Sequence, residues 1–409
     1  MTACFVSCQC SDTCTPHRPG APIRPAFAAA RKKPQIKEIF VIRMTLRTRP
    51  LAAMLAALFL AACGGDGVES VNETPPSHSA GYTQIVAFGD SLTDAGTFNP
   101  TTADADPSND SASGLMFTTK PGGTWAGYIA ANLGLPLTPN QQVNFGIVGA
   151  GGKVTELGGT DYAEGGARLE VDAANGGVAT QTIPGVGTVP VQGATSRSIK
   201  TQIDDYLAEH GGAFNDGQLV LIQAGANDFF NFFSTTPPAN LQAAAPAFLQ
   251  ATVTSVVTQI GRLKAAGATH IIYANLPELG YTPQFLALGP TTAGLATQLS
   301  ASYNAAVAQQ LAAMDVMVFD TAKLIRDVVA SPATYGFANV TTPACNSYTT
   351  PGNPATLSAL ICSPNTLVAP KADLTYLFAD GIHPTARAHA IWADQVTASL
   401  LATEVASVH

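Results

Sequence analysis

The chain has 409 residues, and its 28 acidic side chains outnumber its 20 basic ones, for a formal charge of −8. Hydrophobic residues make up 46% and charged residues 12%, which excludes disorder as the dominant state because disordered chains combine low hydrophobicity with high charge. The acidic balance argues against a nucleic-acid-binding protein, which needs a basic surface to meet phosphates. No apolar run reaches the ~18 residues of a spanning helix, so the sequence is not that of a polytopic membrane protein.

The basic residues are concentrated near the N-terminus. Residues 1–62 hold nine Lys+Arg and two Asp+Glu, a net of +7, whereas residues 63–409 hold eleven and twenty-six, a net of −15. Residues 44–63 read MTLRTRPLAAMLAALFLAAC, with the positive start, apolar stretch and small-residue end of a secretory signal. The last four residues resemble a bacterial lipobox, which implies that Cys63 is lipidated and becomes the mature N-terminus. An ordinary signal peptide or a buried helix is the alternative.

These features divide the chain into four parts. We interpret residues 1–43 as an upstream extension or misassigned start, 44–62 as a lipoprotein signal peptide, 63–81 as a flexible tether and 82–405 as one folded domain. The first part holds four cysteines whose spacing fits no common zinc pattern. Gly64 after the lipidated cysteine implies transport to the outer membrane. We therefore expect an exported protein, lipid-anchored to the bacterial outer membrane or cell surface, or periplasmic or secreted if the lipobox is not used.

Within the folded part, short β-rich runs alternate with long Ala-rich stretches. The predicted strands are Tyr82–Phe88, Leu219–Gln223, His270–Asn275 and Val316–Phe319, and the predicted helices cover 243–266, 291–313 and 385–401. Buried strands that alternate with helices predict a parallel sheet covered on both faces. Because ligands bind at the C-terminal ends of such strands, the residues that follow each strand are the candidates for a site.

Two stretches depart from this alternation. Residues 99–123 are polar and contain Asp104, Asp106 and Asp110, but the Gly and terminal Glu of a calcium-binding EF-hand are missing, which favours a solvated loop. Residues 144–198 are rich in glycine and are expected to form a long excursion beside the site. Both stretches are candidates for lids over the substrate entrance.

Three short motifs follow strands or precede the last helix. Gly89-Asp90-Ser91-Leu92 places a serine on a tight turn, although serine is a weak nucleophile that needs a base and could equally cap a helix. Gly225-Ala226-Asn227-Asp228 offers an amide for a developing oxyanion, or an Asx turn. Asp380-Gly381-Ile382-His383-Pro384 places a carboxylate where it can orient an imidazole, although an isolated D-x-x-H is more often structural.

Together and in this order, the three motifs resemble those of the SGNH hydrolase superfamily, also called GDSL hydrolases, over most of 82–405. The resemblance implies a three-layer α/β/α sandwich with a central five-stranded parallel sheet, and ester hydrolysis by a Ser-Asp-His triad with no metal or cofactor. Residue by residue, Ser91 corresponds to the nucleophile, His383 to the base and Asp380 to its orienting carboxylate. Asn227 corresponds to the oxyanion-hole amide, and the Ser91 backbone N–H to a second donor.

A further element of that family is an oxyanion-hole glycine in a motif like N-x-A-x-G-G-A. The stretch 161–167 reads DYAEGGA, so the resemblance assigns the donor to Gly166, with Asp161 where the family has Asn. Adjacent glycines allow the close backbone approach that such a donor needs. The stretch from Asn144 to Gly149 competes for the same role.

The two remaining cysteines, Cys345 and Cys362, are expected to form a disulfide in an exported domain, with two buried free thiols as the alternative. The disulfide would brace the segment that leads to Asp380 and His383. A second histidine near the motif, His389, is expected on the surface of the closing helix.

The leading hypothesis is a serine esterase or lipase that cleaves carboxylic esters through an acyl-enzyme. Its expected partners are a lipid or small acyl ester as substrate and a membrane through the lipid anchor, and no nucleic acid. The alternatives are a carbohydrate acetylesterase or phospholipid acylhydrolase on the same fold. A surface-binding lipoprotein without activity is the alternative outside the enzymes, disfavoured because binding needs no acid–base set.

Overall fold

The computed structural model describes residues 81–100, 115–147, 154–173, 178–183, 187–192, 195–346 and 359–407. The predicted signal peptide, the predicted lipidation site Cys63 and almost all of the predicted tether lie outside the described residues, as does the Asp104–Asp110 cluster. Among the helices of the described ranges, none has both the length and the hydropathy needed to cross a membrane.

The secondary structure alternates between strands and helices along most of the chain. The strands are β1 (Gln84–Gly89), β2 (Phe98–Pro100), β3 (Gln141–Ile147), β4 (Val154–Glu156), β5 (Val178–Ile183), β6 (Gly187–Gln192), β7 (Gln218–Gln223), β8 (His270–Ala274), β9 (Met317–Phe319), β10 (Asn339–Pro343) and β11 (Tyr376–Phe378). The helices are α1 (Trp125–Leu133), α2 (Ile199–Glu209), α3 (Ala226–Thr235), α4 (Leu241–Ala265), α5 (Pro283–Ala287), α6 (Pro290–Leu311), α7 (Thr321–Ala330), α8 (Ala372–Thr375) and α9 (Ala386–Ser407). The four predicted strands are confirmed as β1, β7, β8 and β9, and the three predicted helices as α4, α6 and α9.

A parallel sheet forms the centre of the domain, with strand order β1-β7-β8-β9. Successive strand residues point to opposite faces, and each face packs against its own set of helices. One face, which includes Val86 and Val220, packs against α2, α4 and α6. The other, which includes Ile85 and Leu219, packs against α1, α7 and α9. The predicted three-layer α/β/α sandwich is therefore confirmed.

The central sheet differs from the expected five strands. Four strands belong to it in the described part of the chain. The position beside β1, where a fifth is expected, is occupied by residues that make a single bridge to it, between Ala87 and Asp161. The Ala87 N–H donates to the Thr160 carbonyl at 2.9 Å, and the Tyr162 N–H donates to the Ala87 carbonyl at 2.8 Å. The segment stays beside β1 beyond this bridge, since the Glu164 N–H donates to the Gly89 carbonyl at 3.1 Å, and the Asp161 carboxylate accepts the Ala163 N–H.

The glycine-rich excursion is not only a loop. In its described parts, β5 and β6 form an antiparallel hairpin that joins β3 and β2 in a second sheet, with β4 paired to β3. A lid function for residues 144–198 stays a prediction.

A disulfide joins Cys345 and Cys362, with their Cα atoms 5.7 Å apart. The Cys345 N–H donates to the Ala379 carbonyl at 3.1 Å, one residue before Asp380. The cross-link therefore lies next to the loop that carries two of the predicted site residues.

We expect the double variant Cys345→Ser/Cys362→Ser to lose about 3 kcal/mol of unfolding free energy, because an open chain of this loop length has more conformational entropy when unfolded. Urea unfolding with and without reductant measures this. Reductant should lower the stability of the wild type and leave that of the variant unchanged. Equal stability of the oxidised wild type and the variant would contradict the prediction.

Candidate active site

The C-terminal ends of the central strands bring the predicted site residues to one edge of the sheet. Ser91 lies two residues beyond the end of β1, and Asn227 lies in the first turn of α3, directly after β7. Asp380 and His383 lie on the short loop between β11 and α9. Because β1 and β7 are parallel neighbours in register, the serine turn and the start of α3 are adjacent, and the β11–α9 loop lies over them.

Ser91, His383 and Asp380 form a continuous array of hydrogen bonds. Ser91 Oγ lies 2.8 Å from His383 Nε2, although the two residues are 292 positions apart. On the other side of the ring, His383 Nδ1 lies 2.7 Å from Asp380 Oδ2. Ser91 and His383 are each 7% exposed and Asp380 is 2% exposed. This arrangement allows the imidazole to take a proton from the serine while a carboxylate orients it.

The Asp380 carboxylate accepts hydrogen bonds from four donors. Its Oδ1 accepts the backbone N–H groups of Ile382 at 2.9 Å and His383 at 2.7 Å. Its Oδ2 accepts the Ala359 N–H at 2.7 Å, in addition to the imidazole. Burial acts to raise the pKa of Asp380, but the neighbouring His383 and these N–H groups outweigh it and hold the pKa below its usual value. The carboxylate is therefore negatively charged and fixed in place.

Phe117 packs against the imidazole of His383. No sequence motif predicts this contact. Its ring centroid lies 5.0 Å from that of His383. A Cβ atom at Gly165 would lie 2.2 Å from the Phe117 ring, so only glycine fits beneath this phenylalanine. Phe117 belongs to the stretch predicted as a solvated loop, and the prediction is wrong at this residue because the loop returns over the site.

The segment that contains Gly166 packs against the nucleophile turn. The Glu164 N–H donates to the Gly89 carbonyl at 3.1 Å, and Gly166 adopts a φ of +82°, a conformation that favours glycine. Across the described residues, neither the Gly166 N–H nor the Ser91 N–H has an internal acceptor. Both donors are therefore available to a ligand.

Asn227 is tied to the same segment, since its Nδ2 donates to the Ala167 carbonyl at 2.9 Å. An amide NH₂ carries two hydrogens, so this bond orients the side chain and leaves one hydrogen for another acceptor. The competing candidate, Asn144, lies in β3, and Gly149 lies outside the described residues.

Two buried carboxylates lock the serine turn to this segment. Asp94 Oδ1 accepts the N–H groups of Gly96 at 2.8 Å and Thr97 at 2.7 Å. Its Oδ2 crosses to the other segment and accepts the Gly165 N–H at 3.1 Å. Asp94 is completely buried, and burial raises its pKa to about 7.

The reciprocal bond comes from Asp161, the residue that stands where the family resemblance expects Asn. Its Oδ2 accepts the Ala95 N–H at 2.6 Å, and its Oδ1 accepts the Ala163 N–H at 2.9 Å. An asparagine has one side-chain acceptor oxygen and would lose one of these two bonds. The pKa of Asp161 is raised well above its usual value. Burial is the largest cause, and the negative charge of the nearby Asp94 is the second.

Asp90, directly before the serine, is a third buried carboxyl group. Its Oδ1 accepts the Leu92 N–H at 3.0 Å. With the Gln223 amide turned so that its nitrogen faces Asp90, that nitrogen donates to both carboxylate oxygens at 2.8 and 3.1 Å. Burial raises the pKa of Asp90 to about 7.

In the ranges that the structure describes, no group of three His, Cys, Asp or Glu side chains is arranged to hold a metal ion.

His389 is not on the helix surface, and that prediction is wrong. The residue is completely buried between α9 and α1, and its Nδ1 accepts the Trp125 N–H at 3.1 Å. Burial, together with His383, lowers the pKa of His389 to about 3, so it is a neutral acceptor. No sequence pattern predicts this burial, since α9 is rich in alanine and its polar residues do not mark one outer face.

We expect the unfolding free energy to fall as the pH rises from 5 to 7. Asp90 has a folded pKa of about 7 against 3.8 for an unperturbed aspartate, so the folded chain binds a proton that the unfolded chain has released. Stability is then lost as pH rises towards the folded pKa, by about 2 kcal/mol for this one group. Asp90→Asn should reduce the pH dependence by that amount in urea unfolding, because its amide matches Asp90 in shape and Gln223 can turn to accept from it. The exposed Asp216→Asn is the control, and an unchanged slope in Asp90→Asn would contradict the assignment.

Curated relatives match the chain at modest identity. A GDSL esterase/lipase of Arabidopsis thaliana is 27% identical over 337 residues, covering 77% of this chain and 81% of the relative. Esterase EstA of Pseudomonas aeruginosa is 26% identical over 380 residues, covering 88% of this chain. A second Arabidopsis GDSL esterase/lipase is 25% identical over 192 residues, covering 44% of this chain. The chain spans about half the length of these last two relatives, 51% in each case.

Solved structures give weaker matches. An extracellular lipase from Streptomyces rimosus aligns with a TM-score of 0.39 and 14% identity, over 76% of this chain and 99% of its own. A carbohydrate acetylesterase from Sinorhizobium meliloti aligns with a TM-score of 0.34 and 15% identity, over 78% and 99%.

The family match covers the whole of the central domain. The model of the GDSL-like lipase/acylhydrolase family matches residues 85–396, a range that begins in β1 and ends in α9 and includes Ser91, Asn227, Asp380 and His383. The chain therefore belongs to the GDSL-like lipase/acylhydrolase family.

Proposed function

We propose that the protein is a serine carboxylic ester hydrolase, an esterase or lipase, in which Ser91 is the nucleophile, His383 the general base and Asp380 the residue that orients it. One observation carries the proposal: the hydrogen-bond array from Ser91 Oγ through both nitrogens of His383 to Asp380, at 2.8 and 2.7 Å. A structural histidine needs neither an adjacent serine hydroxyl nor an ionised partner. Carbohydrate acetylesterase and phospholipid acylhydrolase activities stay predictions.

In the first step, Ser91 Oγ attacks the carbonyl carbon of the ester as His383 Nε2 accepts its proton. The carbonyl π bond breaks, and its electron pair becomes the oxyanion. The N–H groups of Ser91 and Gly166 and the free amide hydrogen of Asn227 donate to this oxygen. Each such donor typically lowers the barrier by about 3–4 kcal/mol.

The tetrahedral intermediate then collapses. The bond to the alcohol oxygen breaks, the His383 proton passes to that oxygen, and the alcohol leaves an acyl group on Ser91. Water repeats the sequence, with His383 accepting its proton and returning one to Ser91 Oγ as the acid is released. The ionised Asp380 stabilises the imidazolium in both steps, because the pair is shielded from water.

We expect a fluorophosphonate probe to label the wild type and not Ser91→Ala, because the probe bonds covalently to an activated serine. Ser300→Ala is the matched control. This serine is completely buried on α6, whereas Ser91 is 7% exposed, and its hydroxyl donates to the Ala296 carbonyl at 2.8 Å. Labelling is measured by intact mass on folded protein.

Labelling that persists in Ser91→Ala would refute the nucleophile. No labelling of any form, with no hydrolysis of p-nitrophenyl acetate, would favour the surface-binding lipoprotein instead.

We also propose that the protein is exported and held at a membrane by lipid on Cys63. The proposal is supported by the order of charge, apolar run and small residues in 44–63, and by the disulfide between Cys345 and Cys362, which fits an oxidising compartment. The net charge of −15 over residues 63–409 does not favour attraction to anionic lipid head groups, so lipid would provide the attachment.

We expect Cys63→Ala to move the protein from the membrane fraction to the soluble fraction of a bacterial host, because the thioether that carries the lipid cannot form. Ser79→Ala, in the same predicted tether, should stay in the membrane fraction. The mass of the purified N-terminal peptide checks the modification. An unmodified Cys63 in the mature chain would refute this proposal without affecting that for Ser91.

A further inference from the structure

An apolar cavity opens beside the His383 imidazole and extends into the layer of helices that includes α7 and α9. It is bounded on the catalytic side by His383 and by Leu92, the residue directly after Ser91. His383 Nε2 is 2.8 Å from Ser91 Oγ, so the residues at this end of the cavity are direct neighbours of the proposed nucleophile. It lies within reach of a group bonded to that oxygen.

The cavity walls are apolar side chains held by regular structure. They come from helices α3, α7 and α9, from strand β11 and from the segment that precedes α5. The principal ones are Phe230, Leu279, Leu324, Ile325, Phe378 and Trp392. Three lining residues, Glu278, Thr321 and Trp392, carry a buried polar atom without a hydrogen bond in the described part of the chain. The rest of the lining is largely apolar, so most positions in the cavity would cost a polar group its hydrogen bonds to water and favour a hydrocarbon.

The only acidic side chain in the lining, Glu278, faces a partner outside the cavity. Its Oε2 lies 3.4 Å from Arg326 Nη1, and Glu278 is 2% exposed. The arginine therefore engages Oε2 only, and Oε1 is left as a buried oxygen without a hydrogen bond in the described part of the chain.

The cavity is small, about 40 Å³. A cavity of about 150 Å³ holds one benzene molecule, so this space suits a group of only a few carbon atoms. Leu324 and Ile325 belong to α7, and Trp392 stacks on Trp125 with ring centroids 4.8 Å apart. Walls packed at interior density do not expand readily.

The chemistry of the reaction favours the acyl group over the alcohol as the occupant. The acyl group stays bonded to Ser91 through both steps, whereas the alcohol must leave before water attacks. A largely enclosed cavity suits the group that stays.

We propose that this cavity is the acyl-binding pocket and that it selects short acyl chains, up to about four carbons, so that the substrates are esters of small carboxylic acids and not of long-chain fatty acids. The proposal rests on the proposed function, since it places the acyl group relative to Ser91.

The test is a series of p-nitrophenyl esters that differ only in the acyl chain: acetate, butyrate, hexanoate and octanoate. We expect kcat/KM to rise from acetate to butyrate, by up to about fourfold for each buried methylene, and to fall at least tenfold from butyrate to octanoate. Equal or faster hydrolysis of octanoate would overturn the proposal. Dependence on the alcohol in a series of butyrate esters, with none on the acyl chain, would overturn it as well.

Ile325→Ala should lengthen the preferred chain, because it removes three carbon atoms from the cavity wall. We expect its hexanoate-to-butyrate ratio of kcat/KM to rise about tenfold. Val328→Ala is the matched control, since Val328 is also on α7, is 2% exposed and does not line the cavity. Both variants remove buried carbons, but a ratio measured on one preparation does not depend on the fraction that is folded.

An unchanged ratio in Ile325→Ala, or the same increase in Val328→Ala, would overturn the pocket assignment. Failure of the proposed function gives a different result, namely hydrolysis of the whole series that persists in Ser91→Ala or is absent from the wild type. That result would overturn both proposals together.

Discussion

The hydrogen bond between Asp380 and His383 is the interaction on which the site depends. An aspartate this deeply buried would favour its neutral form, and it stays ionised because an imidazole and three backbone N–H groups surround it. Two of those N–H groups belong to the same loop between β11 and α9. The third, from Ala359, comes from the segment that the disulfide fastens. The β11–α9 loop and the segment next to the disulfide therefore both stabilise the negative charge of Asp380.

The opposite half of the site is arranged by carboxylates of a different kind. Asp94 and Asp161 accept only backbone N–H groups, and they do so reciprocally between the serine turn and the segment of Gly166. Their burial costs solvation free energy, which the structure offsets with several N–H donors per carboxylate. The benefit is rigidity, since the donors proposed for the oxyanion and the nucleophile are held by the same pair of side chains. Replacement of the family's Asn by Asp161 fits this arrangement, because two acceptor oxygens are used.

Under the proposed function, the small cavity beside His383 would link this rigid site to the choice of substrate. The same α7 and α9 that cover one face of the central sheet also form the cavity wall, so the space available to a substrate is set by core packing. A site with the same catalytic residues but different helix packing would accept different chains. This separation between reaction and selectivity is consistent with a fold that hosts many activities.

Much of this could be predicted from the amino-acid sequence. The strands and long helices followed from short β-rich runs that alternate with Ala-rich stretches, and Ser91, Asn227, Asp380 and His383 were singled out because each follows a strand or precedes a helix in a known motif. Local patterns of this kind depend on residues close together in the chain. The tertiary structure alone decided that Phe117 covers the imidazole, that His389 is buried, that the fifth strand reduces to one bridge at Asp161, and how large the cavity beside His383 is. These features depend on side chains that are distant in sequence and fill space together, and no local pattern records the volume that remains between them.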